Sequence, residues 1–182
     1  MITVISNPAQ FAHRYILAKE FIHRLEADPN VILYVVELAY SNQNYYITDS
    51  KNSRHLQLRT DSVLWHKENM INIGVKHLLS SNWKAFAWID ADVEFENPSW
   101  AKDTLKILNG HSYIVQLFSH AVDMDTDESA MQIFASFGYQ YTKKHNKNGL
   151  LIPTDDCPKD ILTKITTYFY DRNEDKFNSL PK

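Results

Sequence analysis

The sequence predicts an α/β fold, in which a mostly parallel mixed sheet carries helices on both faces. Two observations lead to this class. Short, β-branched apolar runs alternate along the chain with segments of helical periodicity, and several of these runs are too continuously apolar to have a solvated face. Strands that alternate with helices are typical of parallel sheets built through right-handed crossovers. The carboxyl ends of such strands share one edge, where ligands bind in this class of fold.

The first strand and helix are predicted at the start of the chain. Ile2–Ser6 is short and β-branched, which favours a buried strand. Asn7-Pro8 then supplies a helix cap and a proline for the first helical position, and Asp28-Pro29-Asn30 ends the helix. Apolar side chains between these signals recur at spacings of four and three, which predicts one buried helix face. They are Phe11, Tyr15, Ala18, Ile22 and Leu25.

Three more strands and a second helix follow. Val31–Leu38 is predicted as a buried strand and Tyr45–Thr48 as a short one. His55–Arg59 alternates apolar with polar side chains, as a half-buried strand does. Asp61-Ser62 is predicted to cap a helix that runs to about Leu79.

The predicted strands and helices follow a less regular pattern in the second half of the chain. Phe86–Ile89 is expected to be a third strong strand, and a helix is expected from Asn97-Pro98 to Asn109-Gly110. Tyr113–Phe118 and Ile133–Tyr141 are expected to be extended.

The segment after Tyr141 has a different composition. Lys143–Gly149 is polar and is predicted as a loop, whereas Pro158–Tyr170 fits either a helix or a strand. The length of 182 residues predicts one domain, with a ligand-binding part over 1–125 and an atypical segment over 143–182.

Composition disfavours several classes of function. The chain has 19 Lys and Arg against 22 Asp and Glu, a balance that argues against general nucleic-acid binding. Only four glycines are present, and neither a P-loop nor a G-x-G-x-x-G fingerprint occurs. The single cysteine, Cys157, predicts a reducing compartment. Because no apolar run approaches a membrane span or a signal peptide, we expect a cytoplasmic protein without a transmembrane segment.

The segment from Ala85 to Pro98 carries the strongest chemical signal. Its apolar run ends in Asp90-x-Asp92, so two carboxylates follow a predicted buried strand at the ligand-binding edge. Hard oxygen ligands suit Mg²⁺ or Mn²⁺, which keep positions for water and substrate phosphates. Acidic caps in a solvated loop would give the same pattern, because Asp-x-Asp alone is a common sequence.

The predicted helix over 63–79 gives independent support for a ligand site at this edge. Glu68 falls within its apolar arc, and Lys67 lies at the flank of that arc. A carboxylate on a core face needs a partner, so these two residues either form a structural ion pair or reach the ligand edge. Arg59 and Trp65 lie on either side of the predicted start of this helix. Arg59 could bind a phosphate and Trp65 could support a base or sugar, but core or surface roles fit each of them equally well.

Histidine and a second acidic run follow the predicted strand over 113–118. His120 is expected near the ligand edge because it comes directly after that strand. Asp123, Asp125 and Asp127 lack the glycine and the late glutamate of a calcium loop, so they predict a solvated loop.

Together these residues resemble those of the GT-A-type glycosyltransferases, nucleotide-sugar enzymes with a metal-binding D-x-D at a strand end. The resemblance covers roughly residues 1–125 in one continuous order. The matching stretches are Val35-Val-Glu-Leu-Ala-Tyr, His55-Leu-Gln-Leu-Arg-Thr, Leu64-Trp-His-Lys-Glu-Asn, Ala87-Trp-Ile-Asp-Ala-Asp-Val-Glu-Phe and Val115-Gln-Leu-Phe-Ser-His-Ala-Val-Asp.

The resemblance implies a nucleotide-sugar transferase fold, a nucleotide diphosphate sugar donor, with a UDP-sugar favoured, and a glycan or other hydroxyl acceptor. It implies Mn²⁺ or Mg²⁺ at Asp90 and Asp92, with His120 as a further candidate ligand. Asp92 and Glu68 are the candidate catalytic residues, and Asp123 is another candidate base. The candidate donor-binding residues are Thr3, Asn7, Arg59, Trp65, Lys67, Asp90 and Ala91.

The C-terminal segment departs from this family. The later acceptor and acidic-plus-histidine motifs are not matched, and His120 and Asp155 are the candidate substitutes for the base and metal ligand that they supply. Three alternatives therefore stay open beside a shortened active enzyme: a nucleotide-sugar-binding module, an inactive relative, and a D-x-D phosphatase. The phosphatase is less favoured because its motif belongs on a first strand and is usually followed by threonine, whereas Val93 follows here.

Overall fold

A computed structural model describes residues 1–110, 114–127 and 129–139. It divides the chain into two compact units, Met1–Ala101 and Lys102–Lys182. The predicted single domain stays a prediction. The described elements are β1 Ile2–Ser6, α1 Ala12–Glu26, β2 Tyr34–Tyr40, β3 His55–Thr60, α2 Lys67–Leu78, α3 Trp100–Gly110, β4 His120–Met124 and β5 Ala130–Ala135.

The first unit contains a three-stranded parallel sheet in the order β1-β2-β3. Ile2 lies opposite Tyr34, and Val35 lies opposite His55. The predicted α/β class is therefore confirmed, with β2 as the most buried strand. Its continuous run of buried residues explains why the sequence there lacks polar alternation.

A fourth segment extends this sheet on the free side of β1. Ile2 forms a parallel bridge with Trp88, through hydrogen bonds from Ile2 N to Ala87 O (2.8 Å) and from Ile89 N to Ile2 O (3.2 Å). The predicted strand Phe86–Ile89 is therefore a single bridge, because only one residue pair completes the parallel pattern. The spatial order becomes segment 86–89, β1, β2, β3.

The helix α2 covers one face of this sheet. Gly74 permits its close approach, since a Cβ atom there would lie 2.9 Å from Val36 Cγ2 and 3.3 Å from Ile2 Cγ2. The buried cluster on this face consists of Ile2, Val36, Leu38, Tyr40 and Met70. Burial of these apolar side chains is the main force that joins α2 to the sheet.

The helix α1 contacts the connection between β2 and β3. It buries Ala18, Phe21 and Leu25, and the ring of Tyr15 lies 5.0 Å from that of Tyr46. The backbone N–H of Tyr46 in turn donates to Glu37, whose side chain points away from the α2 face because strand residues alternate. The presence of helices beside a parallel sheet is thus confirmed, and their placement on both faces stays a prediction.

The predicted start of the first helix is wrong. Asn7 does not cap α1, which begins at Ala12, five residues later. Asn7 Oδ1 instead accepts from Phe11 N (3.1 Å), while its Nδ2 donates to Phe11 O (2.9 Å). These two bonds close a loop in which Gln10 takes a φ of 56°. A local side-chain bond has replaced the expected cap.

The predicted start of the second helix is also wrong. Asp61-Ser62 does not cap α2, because the N–H of Ser62 donates to Thr60 Oγ1 (3.1 Å) and the helix begins at Lys67. Leu64 therefore lies outside the helix and is 69% exposed. The shorter helix leaves Glu68 exposed rather than on the core face.

Two strand predictions in the first unit need correction. The second strand spans Tyr34–Tyr40 rather than Val31–Leu38. Tyr45–Thr48 is not a strand, because the N–H groups of residues 46–48 donate to the carboxylate of Glu37 instead of to a neighbouring strand. The connection from β2 to β3 is consequently an irregular crossover without a helix.

The second unit begins along α3 and includes an antiparallel hairpin of β4 and β5. The predicted helix after Asn97-Pro98 is confirmed as α3. The described residues of the predicted strand Tyr113–Phe118 are not in a strand, since strand pairing begins at His120. Among its described residues, the predicted extended segment Ile133–Tyr141 is a strand as far as Ala135, and residues 140–141 lie outside the described part of the chain.

The predicted solvated loop of aspartates is the turn of this hairpin. Asp123 itself lies in β4, where it is exposed. Asp125 Oδ1 accepts from the N–H groups of Asp127 and Ser129, both at 2.9 Å, which holds the turn closed. The predictions for 143–149 and 158–170 lie outside the described residues. Among the helices that are described, none has both the length and the apolarity needed to cross a bilayer.

The close approach of α2 to the sheet can be tested at Gly74. Alanine favours a helix by roughly 1 kcal/mol, but overpacking a filled core costs about 1–3 kcal/mol. We expect Gly74→Ala to lower the free energy of unfolding by about 1 kcal/mol in urea titrations. The double variant Gly74→Ala/Val36→Ala should lose less free energy of unfolding than the sum of the losses in the two single variants. Gly110→Ala, with no atom within 4 Å of the added methyl, is the control. Stabilisation by Gly74→Ala would contradict the packing.

Candidate functional site

The parallel strands bring three chain segments to one edge of the sheet, because Asn7 follows β1, Ser41 follows β2 and Asp61 follows β3. Asp90 follows the pairing of Trp88 with Ile2 at the start of β1, and its ion pair with Lys67 joins it to the first turn of α2. We call this side of the first unit the carboxyl edge. The chain leaves β1 towards β2 and β3 and returns on the other side of β1. The topological switch point of the sheet therefore lies between β1 and segment 86–89.

Lys67 and Asp90 meet at this edge. Lys67 is the first residue of α2, and its Nζ forms an ion pair with Asp90 Oδ1. Both side chains keep contact with solvent, with 31% of Lys67 and 53% of Asp90 exposed. The partner of Lys67 is therefore Asp90 rather than Glu68, and a ligand-binding role for Lys67 stays a prediction.

The acidic segment after Asp90 is anchored to α1. Arg24 Nη2 donates to Val93 O (3.4 Å), and its Nη1 lies 3.6 Å from Glu94 Oε2. Asp92 is exposed between these anchored positions, and Ala91 is partly buried. The two ends of the D-x-D segment are thus fixed by Lys67 on one side and by Arg24 on the other.

Arg59 holds the loop that follows β2. Its Nη1 donates to the carbonyl oxygens of Ser41 and Gln43, the latter at 2.9 Å, and its guanidinium lies 5.0 Å from the centre of the Tyr45 ring. The residue is exposed at the carboxyl edge, but its hydrogen bonds shape the loop. Trp65, in the loop before α2, is 77% exposed.

The other two predicted donor-binding residues are buried. Thr3 is 1% exposed, and its hydroxyl donates to Ile89 O at 2.8 Å. Asn7 is 2% exposed, and both ends of its amide bind the backbone of Phe11. The structure therefore places these side chains where they fix Ile89 and the loop after β1.

Sequence reasoning missed Glu37 as an organising residue. This carboxylate is 3% exposed in the middle of β2. Its oxygens accept from the N–H groups of Tyr46 (2.8 Å), Ile47 (3.1 Å) and Thr48 (2.7 Å), and from Thr48 Oγ1 (2.6 Å). A buried carboxylate needs such donors. The signal was present as a single acid within the apolar run of β2.

An open depression lies beside the carboxyl ends of β1 and β2. Its volume is about 510 Å³, and its lining has no charged side chain. Gln43 shapes the wall, since its Nε2 donates to Pro8 O at 3.0 Å while its Oε1 accepts from Tyr40 N at 3.1 Å. The lining consists of Gln10, Tyr40, Ser41, Asn42, Gln43, Asn44 and Tyr46.

The remaining candidate residues lie in different units. Glu68 is exposed in the first turn of α2, next to Lys67. His120 begins β4 in the second unit, where its ring lies 4.5 Å from that of Tyr139 and its Nδ1 lies 3.2 Å from Ser119 Oγ. His120 therefore has contacts within its own hairpin.

The carboxylates at the carboxyl edge suit a divalent cation that takes only part of its ligands from the protein. Across residues 1–110, 114–127 and 129–139, no three His, Cys, Asp or Glu side chains cluster closely enough to hold a metal ion. Asp90 and Asp92 nevertheless offer exposed carboxylate oxygens. Two such residues suit Mg²⁺ or Mn²⁺, which commonly take the rest of their ligands from water and phosphate.

Comparisons of the chain with known family models, with curated proteins and with solved structures found no match. The resemblance to GT-A-type glycosyltransferases accordingly stays a prediction.

The role of Glu37 can be tested by Glu37→Gln. The variant replaces one acceptor oxygen by an NH₂ group that faces N–H donors, and an unsatisfied buried donor costs about 1–3 kcal/mol. We expect a loss of about 2 kcal/mol in the free energy of unfolding, measured in urea. Glu26→Gln, which removes the same charge at an exposed end of α1, should change stability by less than about 0.5 kcal/mol. Equal effects of the two variants would rule out the anchoring role.

Proposed function

We propose that this protein is a metal-dependent glycosyltransferase of the GT-A type. It would move a sugar from a nucleotide diphosphate sugar to an acceptor hydroxyl. The observation that carries the proposal is the meeting of Lys67 with Asp90 at the carboxyl edge. A cationic side chain and a pair of carboxylates at a switch point suit a site for a metal and a diphosphate.

The fold supports this location for the donor. The bridge to Ile2 pairs segment 86–89 with β1 on the side where the strand order reverses, and nucleotides bind near such a reversal in open α/β sheets. A UDP-sugar is the favoured donor. Trp65, which is exposed in the loop before α2, is available to support its base or sugar.

The side chains at this edge would have separate chemical roles. Asp90 and Asp92 would hold Mn²⁺ or Mg²⁺, and Lys67 would neutralise phosphate oxygens. When bound, the metal acts as a Lewis acid that stabilises negative charge on the leaving nucleoside diphosphate. Glu68, exposed beside Lys67, is the candidate general base for the acceptor hydroxyl in an inverting reaction.

A catalytically impaired nucleotide-sugar-binding module is the second candidate. Specific observations favour it: Thr3 Oγ1, both ends of the Asn7 amide and Arg59 Nη1 are hydrogen-bonded within the protein. A site with few free donor-binding groups fits binding without turnover. Metal-dependent nucleotide binding with no sugar transfer to any acceptor would select this alternative.

The proposed donor site is tested by thermal unfolding with UDP, GDP and CDP, each with and without Mn²⁺. Ligands that bind only the folded state raise the unfolding midpoint. We expect one nucleotide to raise it only with Mn²⁺, and Asp92→Asn to weaken that binding at least tenfold. Glu26→Gln, with the same charge change on α1, should retain the shift. Hydrolysis of the matching nucleotide sugar should follow the same order.

Two results would contradict the proposal. If none of the three nucleotides shifts the midpoint in the presence of Mn²⁺, the carboxyl edge is not their binding site. If Asp92→Asn binds the nucleotide and hydrolyses its sugar as the unchanged protein does, the D-x-D segment is not the metal site.

A further inference from the structure

The ion pair of Lys67 with Asp90 uses the same carboxylate that the proposed metal would need. We propose that Lys67 is an exchangeable counter-ion: it neutralises Asp90 in the metal-free protein and transfers to the diphosphate when a divalent cation takes Asp90. This inference rests on the proposed function, and it gives Lys67 two partners in turn, Asp90 and the diphosphate, whereas a fixed phosphate ligand would have only the second.

Competition follows from the geometry. Lys67 Nζ contacts Asp90 Oδ1 directly, so one of the four acceptor positions of this carboxylate is filled by a cation. Since both groups are partly exposed, water screens their attraction, and such pairs contribute little to stability. The pair can therefore open without disturbing the fold.

The base of the Lys67 side chain stays in place while its ammonium moves. The helix α2 is fixed by the buried side chains of Met70 and Ile71 and by the close contact at Gly74. Lysine has a flexible four-carbon stem that ends in a compact charge. The motion is therefore a change of side-chain rotamer from the carboxylate to a ligand at the same edge.

The local charge explains why a counter-ion is needed. Four acids occur within seven residues, from Asp90 to Glu96. Arg24 neutralises Glu94, and Lys67 neutralises Asp90. Without a cation at Asp90, this segment would repel the diphosphate that it is proposed to bind.

The first arm of the test measures binding of Mn²⁺ alone by calorimetry. Lys67→Met removes the competing ammonium, so we expect Mn²⁺ to bind about two- to fivefold more tightly than to the unchanged protein. Lys67→Arg keeps the charge and should leave the affinity within twofold. Lys76→Met, on the same helix but away from its first turn, is the control for a general loss of positive charge.

The second arm measures pyrophosphate binding in the presence of EDTA. Asp90→Asn frees Lys67, so this variant should bind pyrophosphate about two- to fivefold more tightly than the unchanged protein. Asp92→Asn removes the same charge from the same segment without freeing Lys67, and its gain should be smaller. The double variant Asp90→Asn/Lys67→Met should lose the gain.

The outcomes separate this inference from the proposed function. If the unchanged protein does not bind Mn²⁺, the proposed metal site and this inference both fail. If it binds Mn²⁺ but Lys67→Met binds no more tightly, the exchange is refuted and the metal site stands. Equal pyrophosphate gains in Asp90→Asn and Asp92→Asn would also refute the exchange, since they would reflect net charge alone.

Discussion

The pairing of segment 86–89 with β1 determines where the candidate site lies. Two backbone hydrogen bonds of Ile2 and the bond from Thr3 Oγ1 to Ile89 O join the two segments. This short connection fixes Ile89 beside the first residues of β1, and Lys67 at the start of α2 then reaches the adjacent Asp90. If the pairing were absent, the start of the acidic segment would not be fixed to the sheet.

Polar side chains bind the backbone groups of the connecting loops, which regular secondary structure would otherwise pair. The crossover from β2 to β3 has no helix, so its N–H groups donate to the buried carboxylate of Glu37. Arg59 closes the start of this crossover through two carbonyl oxygens. Asn7 closes the loop after β1. These side chains shape the carboxyl edge. Asn7 and Arg59 therefore form hydrogen bonds within the protein, although the sequence suggested both for ligand binding.

The strands β1, β2 and β3 were predictable because their apolar residues report burial directly, whereas Tyr45–Thr48 and the described part of Tyr113–Phe118 are not strands. The meeting of Lys67 and Asp90 was predictable in outline, since helix starts and strand ends share one edge in a parallel sheet. The helix starts were not, because Asn7 and Thr60 use local hydrogen bonds that compete with capping. The role of Glu37 depends on residues 46–48, nine to eleven positions away, and local periodicity does not encode such a contact.

The central claim is that the carboxyl edge of the first unit binds a divalent cation together with a nucleoside diphosphate. Paramagnetic broadening by Mn²⁺ tests it most directly, in ¹⁵N spectra of the whole chain recorded with UDP, GDP or CDP. The account predicts that the first amides to broaden are those of Asn7, Lys67 and Asp90 to Asp92. Broadening centred on the aspartate turn of the β4–β5 hairpin, or no selective broadening with any of the three nucleotides, would contradict it.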